Sequence, residues 1–204
     1  MKIKILYEDK DILAIDKPSG VLVHPDGRDK DPSTLLRVKK TILDFFIKKY
    51  PKLEIVHRLD FETSGVLLLA KNEKAHEFLK NQFKNREVKK TYMAIVNGFV
   101  KNDHGIINKP IGRSPADFRR RLAGRGARGE MREAITEYKV LERFTSPYLT
   151  PSPSPCKGEG RKIQEEKFTY LEIKPKTGRT HQIRVHLKFL NYPIVCDSLY
   201  NSNG

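Results

Sequence analysis

The sequence lacks the long apolar runs and paired cysteines that define several classes of protein. No window approaches the roughly 18 uninterrupted apolar residues that a membrane span requires, and residues 1–5 lack the apolar run of a signal peptide. The two cysteines, Cys156 and Cys196, are far apart, which excludes paired-thiolate zinc motifs and a disulfide framework. His181 and His186 are spaced so that a helix would place them on different faces. We therefore expect a cytoplasmic protein without a membrane span or a metal centre.

Positive charge is the strongest feature of the composition. The 204 residues carry a formal net charge of +15, and the sequence pI is near 9.8. An excess of this size favours a polyanionic partner, because each phosphate contact releases counterions and strengthens binding. A membrane surface is the rival partner, but it calls for a basic amphipathic helix with a strong apolar face or a lipidation motif, and we find neither convincingly. Nucleic acid is the expected partner.

The pattern of apolar residues predicts several short strands and a few helices in a chain long enough for one substantial core. The predicted strands are residues 3–7, 12–16, 66–70, 91–96, 135–141 and 168–173. Helices are predicted to begin at a Ser33 or Thr34 cap, at an Asn72 cap and at a Thr180 cap. This mixture indicates the α+β class with a mixed, mostly antiparallel sheet and flanking helices, in a single domain over residues 1–204.

Residues 113–132 are dense in arginine and glycine and poor in apolar side chains. Such a segment is predicted to be a mobile loop or a hairpin arm, because it has too little apolar surface to bury a core of its own. It is either a disordered surface loop or an arm that binds an RNA backbone and orders on binding. We favour the arm, because guanidinium groups match phosphate geometry. Its candidate RNA-binding residues are Arg113, Arg119, Arg120, Arg121, Arg125 and Arg128.

Residues 145–160 form a second unusual segment, TSPYLTPSPSPCKGEG. Its prolines prevent a regular helix or a sheet ladder. The segment separates two predicted strands that would otherwise pair as a hairpin. We therefore interpret it as a disordered insertion with no role in the chemistry.

A carboxylate stands at the centre of the segment His57–Gly65, HRLDFETSG. Asp60 is predicted to lie in a turn that enters the strand at residues 66–70, and a carboxylate at the rim of a sheet is costly unless it is paired. Arg58 and Arg179 are the candidate partners, and a guanidinium would keep Asp60 ionised for use as a nucleophile or base. A structural salt bridge beside a turn is the alternative, and spacing alone does not decide between the two.

Four segments in order carry a family resemblance: HRLDFETSG, KKTYMAIVNG, ITEYKVL and KTGRTHQIRVH. Together they closely resemble the RluA-like family of pseudouridine synthases, and DKPSGVLVHP also matches the stretch that precedes the family's catalytic motif. The resemblance covers roughly residues 3–200 apart from the insertion. HRLDxxTSG followed by GRTHQIR is a highly specific combination.

The resemblance implies that the chain isomerises specific uridines to pseudouridine in structured RNA without a cofactor, with ribosomal RNA favoured over transfer RNA. It implies the pseudouridine synthase catalytic fold with a central RNA-binding cleft. Asp60 matches the catalytic aspartate, Tyr92 the tyrosine that stacks on the base, and Arg179 the basic residue paired with the aspartate.

The implied substrate-binding residues are Arg58, Ile173, His57, Thr63 and Arg184. Of these, Ile173 matches the aliphatic wall of the pocket, and His57 is favoured as a structural residue that orients the loop. His181 and Gln182 are expected to hold the Arg179 loop by hydrogen bonds. Arg184 and His186 are expected either to contact phosphate or to face solvent.

Two alternatives from other classes remain. A non-catalytic RNA-binding protein that retains the synthase fold would have no need of Asp60, Tyr92 and Arg179. A small-molecule glycosidase or nucleosidase would need two opposed carboxylates, and the sequence offers one strong candidate.

The ends of the chain depart from the family pattern. Many relatives carry an additional N-terminal RNA-binding domain, so more of the RNA contact is expected to fall on residues 113–132. The family usually has a Gly-Asp pair after the last helix and then further core-forming chain. This sequence has Cys196-Asp197 there and ends at Gly204. We expect either a truncated C-terminus or a lost closing element, in a protein that acts as a monomer.

Overall fold

Two units, Met1–Val88 and Lys89–Gly204, make up the chain. The structure is a computed structural model that describes residues 2–24, 40–146 and 165–201. The predicted helix start at Ser33 or Thr34 and all but the first two residues of the proline-rich insertion lie outside the described residues.

The first unit is built on a four-stranded antiparallel sheet with the order β1-β2-β4-β3. Its strands are β1 (Lys4–Glu8), β2 (Ile12–Lys17), β3 (Glu54–Ile55) and β4 (Gly65–Ala70), and its helices are α1 (Ile42–Phe46) and α2 (Glu73–Lys84). Along β4, Leu67 and Leu69 are buried while Val66 is exposed. This alternation is typical of a strand with one covered face.

Helix α2 begins where the sequence predicts. The side chain of Asn72 accepts a hydrogen bond from the backbone amide of Ala75 at 3.0 Å, which satisfies one of the free amides of the first turn. Ala75 and Leu79, one turn apart, are buried. Phe78, which was predicted on the same face, is 61% exposed, so the buried stripe of this helix is narrower than predicted.

The second unit contains a four-stranded antiparallel sheet with the order β5-β11-β10-β6. Its strands are β5 (Tyr92–Asn97), β6 (His104–Asn108), β10 (Ile135–Ser146) and β11 (Glu166–Pro175). Strands β10 and β11 pair along their length up to Ser146 and Glu166, which confirms the predicted hairpin. The insertion therefore starts after Ser146, because Thr145 and Ser146 belong to β10.

Residues 113–132, predicted as a loop or a hairpin arm, contribute to a three-stranded sheet. Its strands are β7 (Ile111–Arg113), β8 (Arg121–Ala123) and β9 (Arg128–Arg132), in the order β8-β7-β9. A Cβ on Gly112 would lie 2.5 Å from the Met131 sulfur and 2.9 Å from the Ala127 Cβ. Strand β9 and the connection before it therefore pack directly on this glycine. Gly124 and Gly126, at φ of 72° and 87°, allow the short turn between β8 and β9. We call these three strands with their connections the arm.

Helix α3 (Gln182–Phe189) begins one residue later than predicted. Its N-cap residue is His181, in the left-handed conformation with φ of 57°, and not Thr180. The His181 side chain makes no hydrogen bond to the first turn of the helix, and its Nδ1 atom contacts the Tyr200 hydroxyl.

The α+β class with mostly antiparallel sheets is confirmed, and every pairing of the strands above is antiparallel. The predicted central cleft stays a prediction. None of the helices in the described parts of the chain has the length and hydropathy needed to cross a bilayer.

Two residues after α3, Asn191 and Cys196, have backbone conformations that favour glycine. Cys196 has φ of 57° and is exposed. We expect Cys196→Gly to raise the free energy of unfolding by about 1 kcal/mol, because a left-handed backbone is costly for a residue with a Cβ. Cys196→Ser keeps the Cβ and should leave stability unchanged. Thermal denaturation of wild type and the two variants tests this. An equal gain in stability in both variants would show that the effect comes from loss of the thiol and not from the backbone conformation.

Candidate active site

The loop between β3 and β4 carries the predicted catalytic segment. Leu59 is buried, whereas Arg58 is exposed and Asp60 is half-buried. A backbone hydrogen bond from the Thr63 amide to the Asp60 carbonyl closes the turn at 3.1 Å. Leu59 therefore anchors the loop, while its two neighbours retain access to solvent.

His57 orients the same loop. Its Nε2 atom accepts a hydrogen bond from the Leu68 amide at 3.0 Å, and its ring stacks on Phe83 with 4.5 Å between centroids. These two contacts support the structural role that the sequence favours for His57, which is to orient the loop. Substrate binding by His57 and Thr63 stays a prediction.

A buried lysine, Lys17, is the residue that sequence reasoning missed. It ends β2 with no exposed surface, and its ammonium donates hydrogen bonds to three backbone carbonyls. These belong to Pro18 at 2.9 Å, Phe61 at 3.3 Å and Thr63 at 2.7 Å. Because Phe61 and Thr63 follow Asp60 closely in the chain, one ammonium fixes the loop that carries Asp60 to the end of β2.

Burial and charge act on Lys17 in opposite directions. Desolvation lowers the pKa of its ammonium to about 8, and the nearby Asp60 carboxylate opposes that shift. The first unit therefore places a cation of its own beside Asp60. The alternation of β2 held a signal for this, since Leu13, Ile15 and Lys17 share one face and the first two are core residues.

Removal of the Lys17 charge should loosen the loop that carries Asp60. We expect Lys17→Met, which keeps the length of the side chain, to lower the free energy of unfolding by about 2–4 kcal/mol, because buried carbonyls lose their donor. Lys49→Met is the control, since Lys49 is 66% exposed in its ion pair with Glu8. It should cost less than about 1 kcal/mol. Urea denaturation followed by circular dichroism measures both, and equal losses would contradict the role given to Lys17.

The same lysine predicts a pH dependence. Its native pKa of about 8 lies below the ordinary value of 10.5, so between these values the unfolded chain binds more protons than the native protein. Wild-type stability should therefore rise with pH across that window relative to Lys17→Met, while below pH 8 the difference between the two proteins should be constant. A difference that stays constant throughout the window would contradict a titrating buried ammonium.

Tyr92 begins β5 and packs on the core of the second unit. The register pairs it with Ile173 of β11, which in turn pairs with Tyr138 of β10. Ile173 is fully buried in a cluster that includes Val96 and Leu171, and the half-buried Tyr92 packs against this cluster. The predicted aliphatic residue thus lies beside the tyrosine, and the stacking of Tyr92 on a base stays a prediction.

The Arg179 loop is held from its backbone by Gln182. The Gln182 Oε1 atom accepts hydrogen bonds from the Arg179 amide at 2.9 Å and from the Thr177 hydroxyl at 2.7 Å. The Arg179 Nε atom donates to the Glu133 carbonyl at 2.9 Å. The prediction that Gln182 holds this loop is confirmed. His181 instead contacts the hydroxyl of Tyr200 through Nδ1 at 2.9 Å.

His186 contradicts both alternatives given for it, phosphate contact and solvent exposure. Its side chain is fully buried, with Nδ1 bonded to the Thr136 hydroxyl at 2.8 Å and Nε2 to the Lys109 carbonyl at 2.9 Å. Burial lowers its pKa, which favours the neutral ring. His186 is therefore a core hydrogen-bonding residue.

Arg184 is engaged within the second unit. Its guanidinium forms a bidentate pair with Asp197, both distances being 2.7 Å, and lies over the ring of Tyr200. Burial raises the pKa of the Asp197 carboxyl, but hydrogen bonds from Arg184 and from the Leu199 and Tyr200 amides outweigh it, and the pKa is lowered overall. These contacts support an anchoring role for Arg184, and substrate binding by it stays a prediction.

The chain after α3 also connects to the arm. The Tyr200 hydroxyl accepts a hydrogen bond from the Arg121 amide of β8 at 2.8 Å while contacting His181. Tyr200 and Val185 share a small core cluster with Ile111 and Ala134. One tyrosine therefore joins the arm to the start of α3.

The Arg184–Asp197 pair offers a stability test. We expect Asp197→Asn to lower the free energy of unfolding by about 3 kcal/mol, because it leaves a largely buried guanidinium without its counter-charge. Asp103→Asn is the control, since Asp103 is 77% exposed in its pair with Arg143. It should cost less than about 1 kcal/mol.

The pH dependence of this pair has the opposite sign to that of Lys17. Because the native pKa of Asp197 lies below its ordinary value of 3.8, its contribution is present above that value and is lost as the pH falls through the native pKa. Denaturation of wild type and Asp197→Asn at decreasing pH should show their stabilities converge, and a constant difference would contradict the pair.

The predicted RNA-binding arginines all lie on the arm. Arg113, Arg119, Arg120, Arg125 and Arg128 are exposed, and Arg121 is half-buried. Hydrogen bonds from Arg119 lower the pKa of Asp117 to about 2, so this carboxylate is ionised and offsets part of the local positive charge. RNA binding by these residues stays a prediction.

The structure thus assembles the candidate site in two parts. The first unit brings Lys17, Asp60 and Thr63 together, and the second unit orders Tyr92 and the Arg179 loop. Use of Asp60 with Tyr92 and Arg179 in one site stays a prediction. Within residues 2–24, 40–146 and 165–201, no group of three or more His, Cys, Asp or Glu side chains could hold a metal ion.

Comparison with known proteins assigns the family. Residues 11–189 match the RNA pseudouridylate synthase family. An uncharacterized RNA pseudouridine synthase of Aquifex aeolicus is 38% identical over 199 residues, which are 97% of this chain and 56% of that protein. Ribosomal large subunit pseudouridine synthase D of Pseudomonas aeruginosa is 37% identical over 200 residues, 98% of this chain and 54% of that protein.

Solved structures agree with this assignment. Human RNA pseudouridylate synthase domain containing 1 superposes with a TM-score of 0.76 at 26% identity, over 99% of this chain and 71% of that one. The chain belongs to the RNA pseudouridylate synthase family, and the resemblance to its RluA-like members is confirmed. It spans little more than half the length of the curated relatives described above.

Proposed function

We propose that the protein isomerises uridine to pseudouridine in structured RNA, with ribosomal RNA as the first candidate substrate. Family membership supports the reaction, and relatives named for the large ribosomal subunit support the substrate. The net charge of +15 suits an RNA partner. A cytoplasmic location is part of the same proposal.

One observation carries the chemical part of the proposal. Asp60 lies on a loop whose backbone is fixed by a buried ammonium, and that ammonium is also close enough to interact with the Asp60 charge. A carboxylate that must act on a ribose needs a fixed position more than it needs mobility, because misplacement by about 1 Å can cost 100-fold in rate. Lys17 is therefore a positioning residue for Asp60.

The reaction balances without an oxidant or reductant. The bond from ribose C1′ to uracil N1 breaks, the base turns, and a bond from C1′ to uracil C5 forms. The hydrogen on C5 leaves as a proton, and N1 takes up a proton. Asp60 acts as an ionised carboxylate whether it attacks C1′ or removes a ribose proton, so both routes need the same group.

Tyr92 and Arg179 complete the proposed site. An aromatic ring can replace the stacking that a uracil loses when it leaves an RNA helix or loop. A guanidinium beside the carboxylate would hold it ionised. The buried Ile173 next to Tyr92 supplies an apolar neighbour that limits the motion of the ring.

A tritium-release assay tests the proposed activity. RNA transcribed with 5-tritiated uridine should lose tritium to water when incubated with the protein, because the reaction removes the hydrogen on C5. Asp60→Asn should abolish release, since it removes the charge and preserves the shape. Glu62→Gln, an exposed residue of the same loop, is the matched control and should retain wild-type release.

The same assay separates the two candidate functions. If wild-type protein binds ribosomal and transfer RNA but releases no tritium from either, the protein is a non-catalytic RNA-binding member of the family. Full release by Asp60→Asn would instead overturn the role given to the carboxylate.

A further inference from the structure

The arm carries an exposed aromatic ring, that of Phe118. Phe118 is 73% exposed, the highest value among the large hydrophobic residues that the structure describes as exposed. Single exposed apolar side chains are common on proteins and need no special explanation by themselves. Two further observations distinguish Phe118, namely the loop that carries it and the charges around it.

Hydrogen bonds hold the Phe118 loop in one conformation. The Ser114 hydroxyl accepts from the amides of Ala116 and Asp117, both at 3.3 Å, and the Ser114 amide donates to the Arg120 carbonyl at 3.2 Å. The Asp117 carboxylate accepts from the Arg119 amide at 2.9 Å. The ring is therefore presented on an ordered turn, so a ligand would not have to bear the entropy of ordering the loop.

Three arginines form a row across the arm beside this loop. In the sheet register, Arg113 of β7 lies opposite Arg121 of β8 and also opposite Arg128 of β9. Residues directly opposite each other share one face of a sheet, and like charges in such positions destabilise it. A polyanion bound to that face would relieve the repulsion. We call Arg113, Arg121 and Arg128 the arginine row.

We propose that Phe118 stacks on an unpaired nucleobase of RNA whose backbone phosphates bind the arginine row. Aromatic side chains next to a positively charged surface bind single-stranded nucleic acid in this way, because every base has a π-face. The inference rests on the proposed function for the presence of RNA, and it adds a base-contacting residue to an arm predicted to bind only the backbone.

A tryptophan at this position gives a direct signal, because the protein has no tryptophan of its own. Phe118→Trp should lose fluorescence when unlabelled single-stranded RNA of mixed sequence is added, since stacking on a base quenches the indole. Phe78→Trp is the matched control, because Phe78 is an exposed phenylalanine of α2 in the first unit. Its fluorescence should not change with RNA. Equal quenching of the two would overturn the proposal.

Removal of the ring separates stacking from charge. Phe118→Ala should weaken binding of the same RNA about tenfold at every salt concentration, without changing the dependence on salt. Arg113→Ala should instead lower the slope of log affinity against log salt by about 0.7, the value for one lost phosphate contact to a single strand. Heparin, a polyanion without bases, should bind Phe118→Ala as it binds wild type.

The remaining outcomes are decisive. Unchanged RNA affinity in Phe118→Ala, or equal losses for RNA and heparin, would overturn stacking while leaving tritium release, and with it the proposed function, intact. Absence of both RNA binding and tritium release in wild type would overturn the proposed function and the stacking together.

Discussion

The first unit's part of the candidate site depends on the hydrogen bonds that the Lys17 ammonium donates. A buried cation is costly to desolvate. It is tolerated here because three backbone carbonyls accept hydrogen bonds from it and because the Asp60 carboxylate lies nearby. Two of those carbonyls belong to the loop that carries Asp60. The segments DKPSG and HRLDFETSG, distant in the sequence, are thereby joined into one structure. A change at the end of β2 would therefore alter the loop that carries Asp60.

Buried polar contacts play the corresponding part in the second unit. Gln182 binds the Arg179 amide, the Thr177 hydroxyl and the Thr136 hydroxyl, and His186 also binds Thr136. Each member is satisfied, and no described buried side-chain nitrogen or oxygen lacks a partner. Fully satisfied networks of this kind favour one arrangement over others, because each alternative would leave a buried polar group unpaired. The Arg179 loop and the base of the arm therefore share a rigid support.

Much of the fold could be predicted from the spacing of apolar residues and from helix-capping residues, because both are local properties of the sequence. The alternation of β2 and β4 and the Asn72 cap of α2 are encoded within a few residues. The left-handed cap at His181 and the burial of His186 involve contacts between segments far apart in the sequence, which no local pattern reports. The strands of the arm are close in the sequence, but the contact of the arm with Tyr200 is again a distant one. Lys17 is an intermediate case, since its place in β2 indicates burial but two of its three partners, Phe61 and Thr63, are more than forty residues away. The motif around Asp60 is specific enough to indicate the family, and the roles of Asp60, Tyr92 and Arg179 are proposed from the same resemblance.

We propose that this chain converts uridine in RNA to pseudouridine by way of Asp60. The most direct measurement is the nucleoside composition of a ribosomal RNA transcript after incubation with the purified protein, resolved by chromatography because the two nucleosides have equal mass. Pseudouridine should appear in an amount equal to the uridine that is lost, and the total should be unchanged. An unaltered composition from protein that is folded and bound to the RNA would contradict the claim.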